Sequence, residues 1–230
     1  MPHHLKLTKD SRMSQYTRVR IKGGMYFFTL VTHNRRPFLL SDLARQCLRQ
    51  AWHEVKRAYP FELIAICLLP DHRHVLLSLP EGDDDYAKRW SALKGKFLDA
   101  GGGNGVMSNS RVKRGGAGIW QRRFWEHCIR DEKDHYRHLD YIHFNPVRHK
   151  YVNKPSEWVY STFSKYVKLG YYDNARGAVE PEEIKRSKLF GEVSAKIFCC
   201  NANKFRLFRT SIAKHFLLSF AFSPLATDFQ

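Results

Sequence analysis

The chain has 230 residues, 43% of them hydrophobic and 14% aromatic, which is too much core-forming material for a disordered protein despite 27% charged residues. Thirty-nine Lys and Arg against 22 Asp and Glu leave a formal net charge of +17, so a polyanion, nucleic acid first, is the expected partner. The start Met1-Pro2-His3-His4-Leu5-Lys6 lacks a secretory apolar core, and the apolar runs at 63–69 and 216–222 are far below the ~18 residues that span a bilayer, so no membrane partner is expected. Five cysteines without pairing or CxxC spacing read as reduced thiols in a cytoplasm.

Residues 1–15 read as a flexible basic leader. Gly23-Gly24 breaks the chain before the aromatic and β-branched run from Met25 to Thr32, a buried strand by composition. Asn34-Arg35-Arg36-Pro37 is a basic turn. From Ser41 to Ala58 the apolar residues Leu43, Cys47, Leu48, Ala51, Trp52 and Val55 recur at helical spacing, with Ser41 as the cap. Phe61–Leu69 and His72–Leu79 read as two strands of a hairpin broken at Pro70-Asp71, and Asp83 to Asp99 as a helix. A glycine-rich loop covers 100–118. The stretch 120–130 holds a fourth strand, and a helix opens near Asp131 and is closed by Pro146. Residues 156–162 form a short ordered segment and 180–190 a charged helix, and the apolar stretch 216–222 lies in a basic tail. These boundaries give a leader over 1–15, a domain over 16–165 and a C-terminal extension over 166–230.

Two features could carry chemistry. In His72-Arg73-His74 the two-residue period of a strand sends both imidazoles to one face, where they could clamp one cation. In Tyr141-Ile142-His143-Phe144-Asn145-Pro146 a four-residue helical spacing puts the Tyr141 hydroxyl and the Asn145 amide on one face, with His138 one turn earlier. Leu139, Ile142 and Tyr136 turn towards another side, as core anchors. Spacing alone does not choose Tyr141 over Tyr136.

Five blocks then fall in the order of a known family. They are Ile21-Lys22-Gly23-Gly24 leading into Tyr26-Phe27-Phe28-Thr29; Leu69-Pro70-Asp71-His72-Arg73-His74; Leu79-Pro80-Glu81-Gly82-Asp83-Asp84-Asp85; Trp120-Gln121-Arg122-Arg123-Phe124-Trp125-Glu126-His127; and Asp140-Tyr141-Ile142-His143-Phe144-Asn145-Pro146-Val147. Over residues 16–162 the chain resembles the REP-associated tyrosine transposases of the single-tyrosine HUH superfamily. The resemblance implies an α+β fold, a ferredoxin-like or RRM-like antiparallel sheet with flanking helices. It also implies Tyr141 as nucleophile, with His72, His74 and the amide of Asn145 holding a divalent ion, Mg²⁺ or Mn²⁺. The substrate implied is single-stranded DNA with hairpin-forming repeats, cleaved and rejoined through a 5′-phosphotyrosine, by a monomer or homodimer in a bacterial cytoplasm, at the nucleoid. Arg35, Arg36, Arg122, Arg123 and Arg148 are the basic residues nearest these blocks and are the expected phosphate contacts.

The chain departs from the family pattern at Arg73, where the middle of the histidine motif is normally hydrophobic. A buried unpaired guanidinium costs several kcal/mol. Arg73 is therefore expected to reach an acidic partner, to reach solvent, or to mark a decayed active site. Two other readings follow: a nucleic-acid-binding module without catalysis, and a zinc hydrolase, for which the sequence has no HExxH and no third ligand.

Overall fold

Met25-Tyr26-Phe27-Phe28-Thr29-Leu30-Val31 carries almost no polar alternation, because this strand is covered on both faces. The computed structural model describes residues 18–104 and 118–172. In chain order the elements are β1 (Met25–Val31), α1 (Asp42–Ala58), β2 (Glu62–Leu68), β3 (His72–Ser78), α2 (Tyr86–Asp99), β4 (Trp125–Cys128), α3 (Glu132–Arg148) and α4 (Phe163–Lys168). The strands form one sheet in the order β2-β3-β1-β4, and every neighbouring pair is antiparallel. This βαββαβ order is the ferredoxin-like arrangement, as expected.

The pleat divides each strand between two cores. Tyr26, Phe28, Leu30, Val75 and Leu77 face α1 and α2, whereas Met25, Phe27, Leu76, Leu139 and Ile142 pack together on the α3 side. Side chains cap the three long helices: Ser41 Oγ accepts from the Ala44 N–H at 3.3 Å, Asp85 from Lys88 at 3.1 Å and Asp131 from Asp134 at 2.8 Å. Gly24 is required by packing, since a Cβ there would lie 2.8 Å from the Tyr26 ring and 2.9 Å from the Ile21 carbonyl.

The hairpin of β2 and β3 turns on Leu69, whose N–H donates to the His72 carbonyl at 2.8 Å. The outer edge of β2 is covered by residues 158–162, with Leu68 N–H donating to the Tyr160 carbonyl and Thr162 N–H to the Ile66 carbonyl. That covering is the ordered segment read at 156–162, preceded by a 3₁₀ turn at Pro155–Glu157. Packing continues through Tyr172, which is buried in the second core.

One expected boundary is corrected. Pro146 does not close α3, which runs on to Arg148. Proline removes one N–H near the end of the helix, and the last turn is still closed by His149 N–H donating to the Asn145 carbonyl at 3.0 Å. The leader, residues 105–117 of the glycine-rich loop and residues 173–230 of the extension, including the candidate helix at 180–190 and the apolar stretch at 216–222, lie outside the described residues.

Burial in the second layer carries a pH consequence. His135 on α3 is buried, and its pKa is lowered from 6.5 to about 4, by burial first and then by the neighbouring His138 charge. A histidine whose folded pKa is depressed binds its proton more readily when unfolded, so stability falls as pH drops from 6.5 to about 4 and levels off below that window. Urea midpoints measured across that window are expected to fall less steeply for His135→Leu than for the parent; parallel curves would remove His135 as the cause.

Candidate active site

Strand β3 is central and covered on both faces, yet it begins His72-Arg73-His74, and these side chains are 4%, 1% and 2% exposed. The pleat sends His72 and His74 to the α3 side, with ring centroids 4.9 Å apart, and Arg73 to the α1 side. Each imidazole is oriented by a hydrogen bond at Nδ1. His72 Nδ1 donates to Asp71 Oδ1 at 2.5 Å, and His74 Nδ1 lies 2.9 Å from Thr29 Oγ1 on β1. Asp71 is in turn held by Arg35 Nη1 at 2.8 Å. Such outer partners fix the ring and leave Nε2 to serve as the ligand atom.

Helix α3 crosses this face. The Tyr141 ring stands 5.1 Å from that of His74, edge on, and the Asn145 side chain lies against His72. Both residues are buried. The Arg148 guanidinium sits 5.3 Å above the Tyr141 ring. Tyr136 turns elsewhere: its hydroxyl donates to Glu132 at 3.2 Å and its ring stacks on Tyr171. Of the two tyrosines, Tyr141 lies on the helix face that meets the histidine pair and Tyr136 does not.

Charge is arranged to keep the imidazoles neutral. Burial, followed by the charge that His72 and His149 would carry if protonated and by Arg148 and Arg35, holds His74 well below the usual histidine range. Burial also lowers His72, although Asp71 opposes it. Burial alone would raise Asp71, but the His72 hydrogen bond and Arg35 outweigh it, so Asp71 lies below the usual carboxylate range. Neutral imidazole is the form that ligates a metal. The Asn145 amide, 1% exposed, makes no well-formed hydrogen bond at Oδ1 or Nδ2 and faces His72. Two oriented neutral imidazoles and a buried amide fit a divalent ion.

A second cluster, His127, Asp134 and His138, brings its donor atoms within 4.8 Å of one another. It joins β4 to α3. Asp134 Oδ2 accepts from His127 Nε2 at 2.8 Å and from the Arg130 backbone at 3.0 Å, and lies 3.2 Å from Arg130 Nε. Burial opposes the Asp134 charge, but His127 and His138 overcome it and hold its pKa far below the usual range. Phe27 lies between this cluster and the histidine pair, 4.9 Å from the His138 ring and 5.4 Å from that of His74.

Of the five arginines expected near DNA, Arg35 and Arg148 are brought to the histidine–tyrosine group, through Asp71 and Tyr141 respectively. Arg122 and Arg123 are exposed just beyond Trp120-Gln121, whose backbone pairs with Val31 and Thr32 at the same end of the sheet. Arg36 is half-buried, and its carbonyl accepts from Thr32 Oγ1. Sequence reasoning missed Asp71, Thr29 and His149, whose ring is 5.2 Å from that of His72. Asp71 was visible as a carboxylate beside the motif, and His149 as the residue one turn beyond Asn145; Thr29 depends on strand register and gave no signal.

Arg73 reaches neither an acidic partner nor solvent. Its guanidinium is enclosed by aromatic rings, with Cζ 5.8 Å from Trp52, 5.4 Å from Trp90 and 5.2 Å from Trp120. It lies across the sheet from the histidine pair, so it does not reach the site.

Residues 21–97 match the family profile described as "Transposase IS200 like". A REP-associated tyrosine transposase of Escherichia coli K12 is 46% identical over 160 residues, covering 70% of this chain and 88% of the relative. A Haemophilus influenzae protein that carries the same name provisionally is 46% identical over 174 residues, 75% of this chain and 98% of its own. A solved REP-associated tyrosine transposase bound to a REP hairpin is 39% identical, with a TM-score of 0.63 over 81% of this chain and 99% of that one. Transposases of this kind generally work with a divalent metal ion. The chain belongs to the REP-associated tyrosine transposases and is a transposase enzyme.

Proposed function

We propose that the protein cleaves and rejoins single-stranded, hairpin-forming DNA repeats, with Tyr141 as nucleophile and His72, His74 and Asn145 as the ligands of one divalent ion, Mg²⁺ or Mn²⁺. The observation that carries this reading is the meeting of Tyr141 with the histidine pair, 5.1 Å between ring centroids, beneath one buried amide. The DNA hairpin bound by the structural relative supports the substrate class.

A phenol of ordinary pKa near 10 is a weak nucleophile at neutral pH. Here the Arg148 guanidinium lies over the Tyr141 ring and favours negative charge on its oxygen. Tyr141 loses its proton to water and its oxygen attacks the scissile phosphorus; the new O–P bond replaces the P–O3′ bond. The 3′ oxygen leaves as a hydroxyl once it takes up a proton, and Tyr141 keeps the 5′-phosphate in a phosphodiester. Because that bond retains the reactivity of the one broken, an incoming 3′-hydroxyl can reverse the step without ATP. The ion, when bound, would polarise a non-bridging phosphate oxygen and offset its charge. Asp71 and Thr29 hold the two imidazoles in one orientation. Arg35, Arg36, Arg122, Arg123 and Arg148 would hold the strand by its phosphates. We place the ion at His72 and His74 rather than at His127 and His138, because there Asp134 Oδ2 and His127 Nε2 are already engaged with each other and with the Arg130 backbone.

Tyr141→Phe is expected to abolish a denaturation-resistant adduct with a labelled single-stranded hairpin repeat in Mn²⁺ while leaving binding within about twofold, since only the hydroxyl is removed. Persistent adduct in that variant would sink the assignment. Asp71→Asn keeps the shape of the side chain but removes the charge that orients His72. Cleavage at limiting Mn²⁺ should fall about 10- to 100-fold and recover in part at high Mn²⁺; an unchanged Mn²⁺ dependence would separate Asp71 from the metal.

A further inference from the structure

The histidine–tyrosine group opens outwards along a row of rings. His149, the residue after α3, stands 5.2 Å from the His72 ring. Tyr151 follows at 5.9 Å from His149 and 21° from parallel, and Trp158 at 5.5 Å from Tyr151 and 24° from parallel. Tyr160 ends the row, edge on to Trp158 at 5.6 Å, and the Arg45 guanidinium of α1 lies 5.1 Å from its ring.

The row is both held and open. The Trp158 indole N–H donates to the Leu68 carbonyl at 3.0 Å, which fixes that ring against β2. Tyr151 is set by the turn that ends α3: Lys150 takes the left-handed conformation at φ 60°, and the Tyr151 N–H donates back to the Pro146 carbonyl at 3.0 Å. Parallel rings in face-to-face contact lie about 3.5 Å apart, so centres 5.5 and 5.9 Å apart belong to rings slipped sideways or separated, and either leaves face area uncovered. Tyr151 is accordingly 45% exposed, and His149 beside it is exposed. Arg148, Lys150 and Lys154, which flank these rings in the chain, are exposed cations. Glu157, the carboxylate of the same segment, is turned to the Asn153 and Lys154 backbone N–H groups at 3.0 and 3.3 Å.

We propose that His149, Tyr151 and Trp158 form a stacking platform for bases of the single strand beside the scissile phosphate, with Tyr151 the main contact. This rests on the reading of His72 and Tyr141 as the cleavage site. A row of rings that begins on His72 and is flanked by cations suits a strand whose phosphates pass the cations and whose unpaired bases present flat apolar faces. A duplex, whose bases already stack on one another, offers no such faces, and an apolar protein partner would leave the cations unmatched. Every base has a π-face, so the platform holds the strand without reading its sequence.

The test measures binding of the full-length protein to a labelled DNA hairpin with single-stranded flanks, in EDTA so that no strand is cut. Tyr151→Ala is expected to weaken binding about tenfold, and Tyr151→Phe to keep it within about twofold. An abasic nucleotide, placed in turn at each single-stranded position, is expected to weaken the parent by a similar factor where the stacked base is lost. At that position it should cost Tyr151→Ala almost nothing further, because ring and base are two halves of one interaction. The proposal is overturned if Tyr151→Ala binds like the parent, if Tyr151→Phe loses as much as Tyr151→Ala, or if the abasic and Tyr151→Ala losses multiply at every position. Adduct formation by the parent in Mn²⁺ separates the platform from the cleavage reading. Adduct with multiplying losses overturns the platform alone, whereas coupled losses without adduct support the platform and overturn the cleavage reading.

Discussion

Three consecutive polar side chains, His72, Arg73 and His74, are buried on the central strand of a sheet that is covered on both faces. Burying such groups is costly unless each finds compensation, and the surroundings supply a different one on each side. Towards α3 the compensation is hydrogen bonding: Asp71 and Thr29 engage the Nδ1 atoms, and Arg35 fixes Asp71. Towards α1 it is aromatic, three tryptophans around one guanidinium. The first arrangement fixes the orientation of two imidazoles. The second leaves donors without acceptors, and the two do not interfere because the sheet lies between them.

Precision at the site comes from the elements that carry it. The histidines stand on an interior strand, paired on both sides, and Tyr141 and Asn145 on a helix capped by Asp131 and anchored through Leu139 and Ile142. Rigid secondary structure of this kind holds reacting groups more closely than loops do. The arginines proposed to hold the strand stand instead on turns and at a helix end, where long side chains can adjust. Only Arg35 and Arg148 are also tied to the interior of the site.

The cluster of His127, Asp134 and His138 spends its donors within the protein. Its geometry is close enough for an ion. Yet Asp134 receives the Arg130 backbone N–H and the His127 ring, with the Arg130 guanidinium beside it, so its negative charge is already spent on joining β4 to α3. At the histidine pair the amide of Asn145 faces His72 and has no cationic group bonded to it.

Periodicity and composition determined by themselves that β1 is buried, that α1 runs from the Ser41 cap, and that His72 and His74 share a face, because strand and helix geometry fix which side chains point together. Ordered motifs carried the family, the fold and Tyr141 with Asn145. Tertiary structure decided what local pattern cannot encode. The choice of Tyr141 over Tyr136 depends on which face of α3 meets the sheet, and the role of Thr29 depends on the β1–β3 register that sets it opposite His74. The environment of Arg73 is assembled from α1, α2 and the segment before β4, residues far apart in the chain. The continuation of α3 past Pro146 likewise rests on bonds of its final turn rather than on the proline alone.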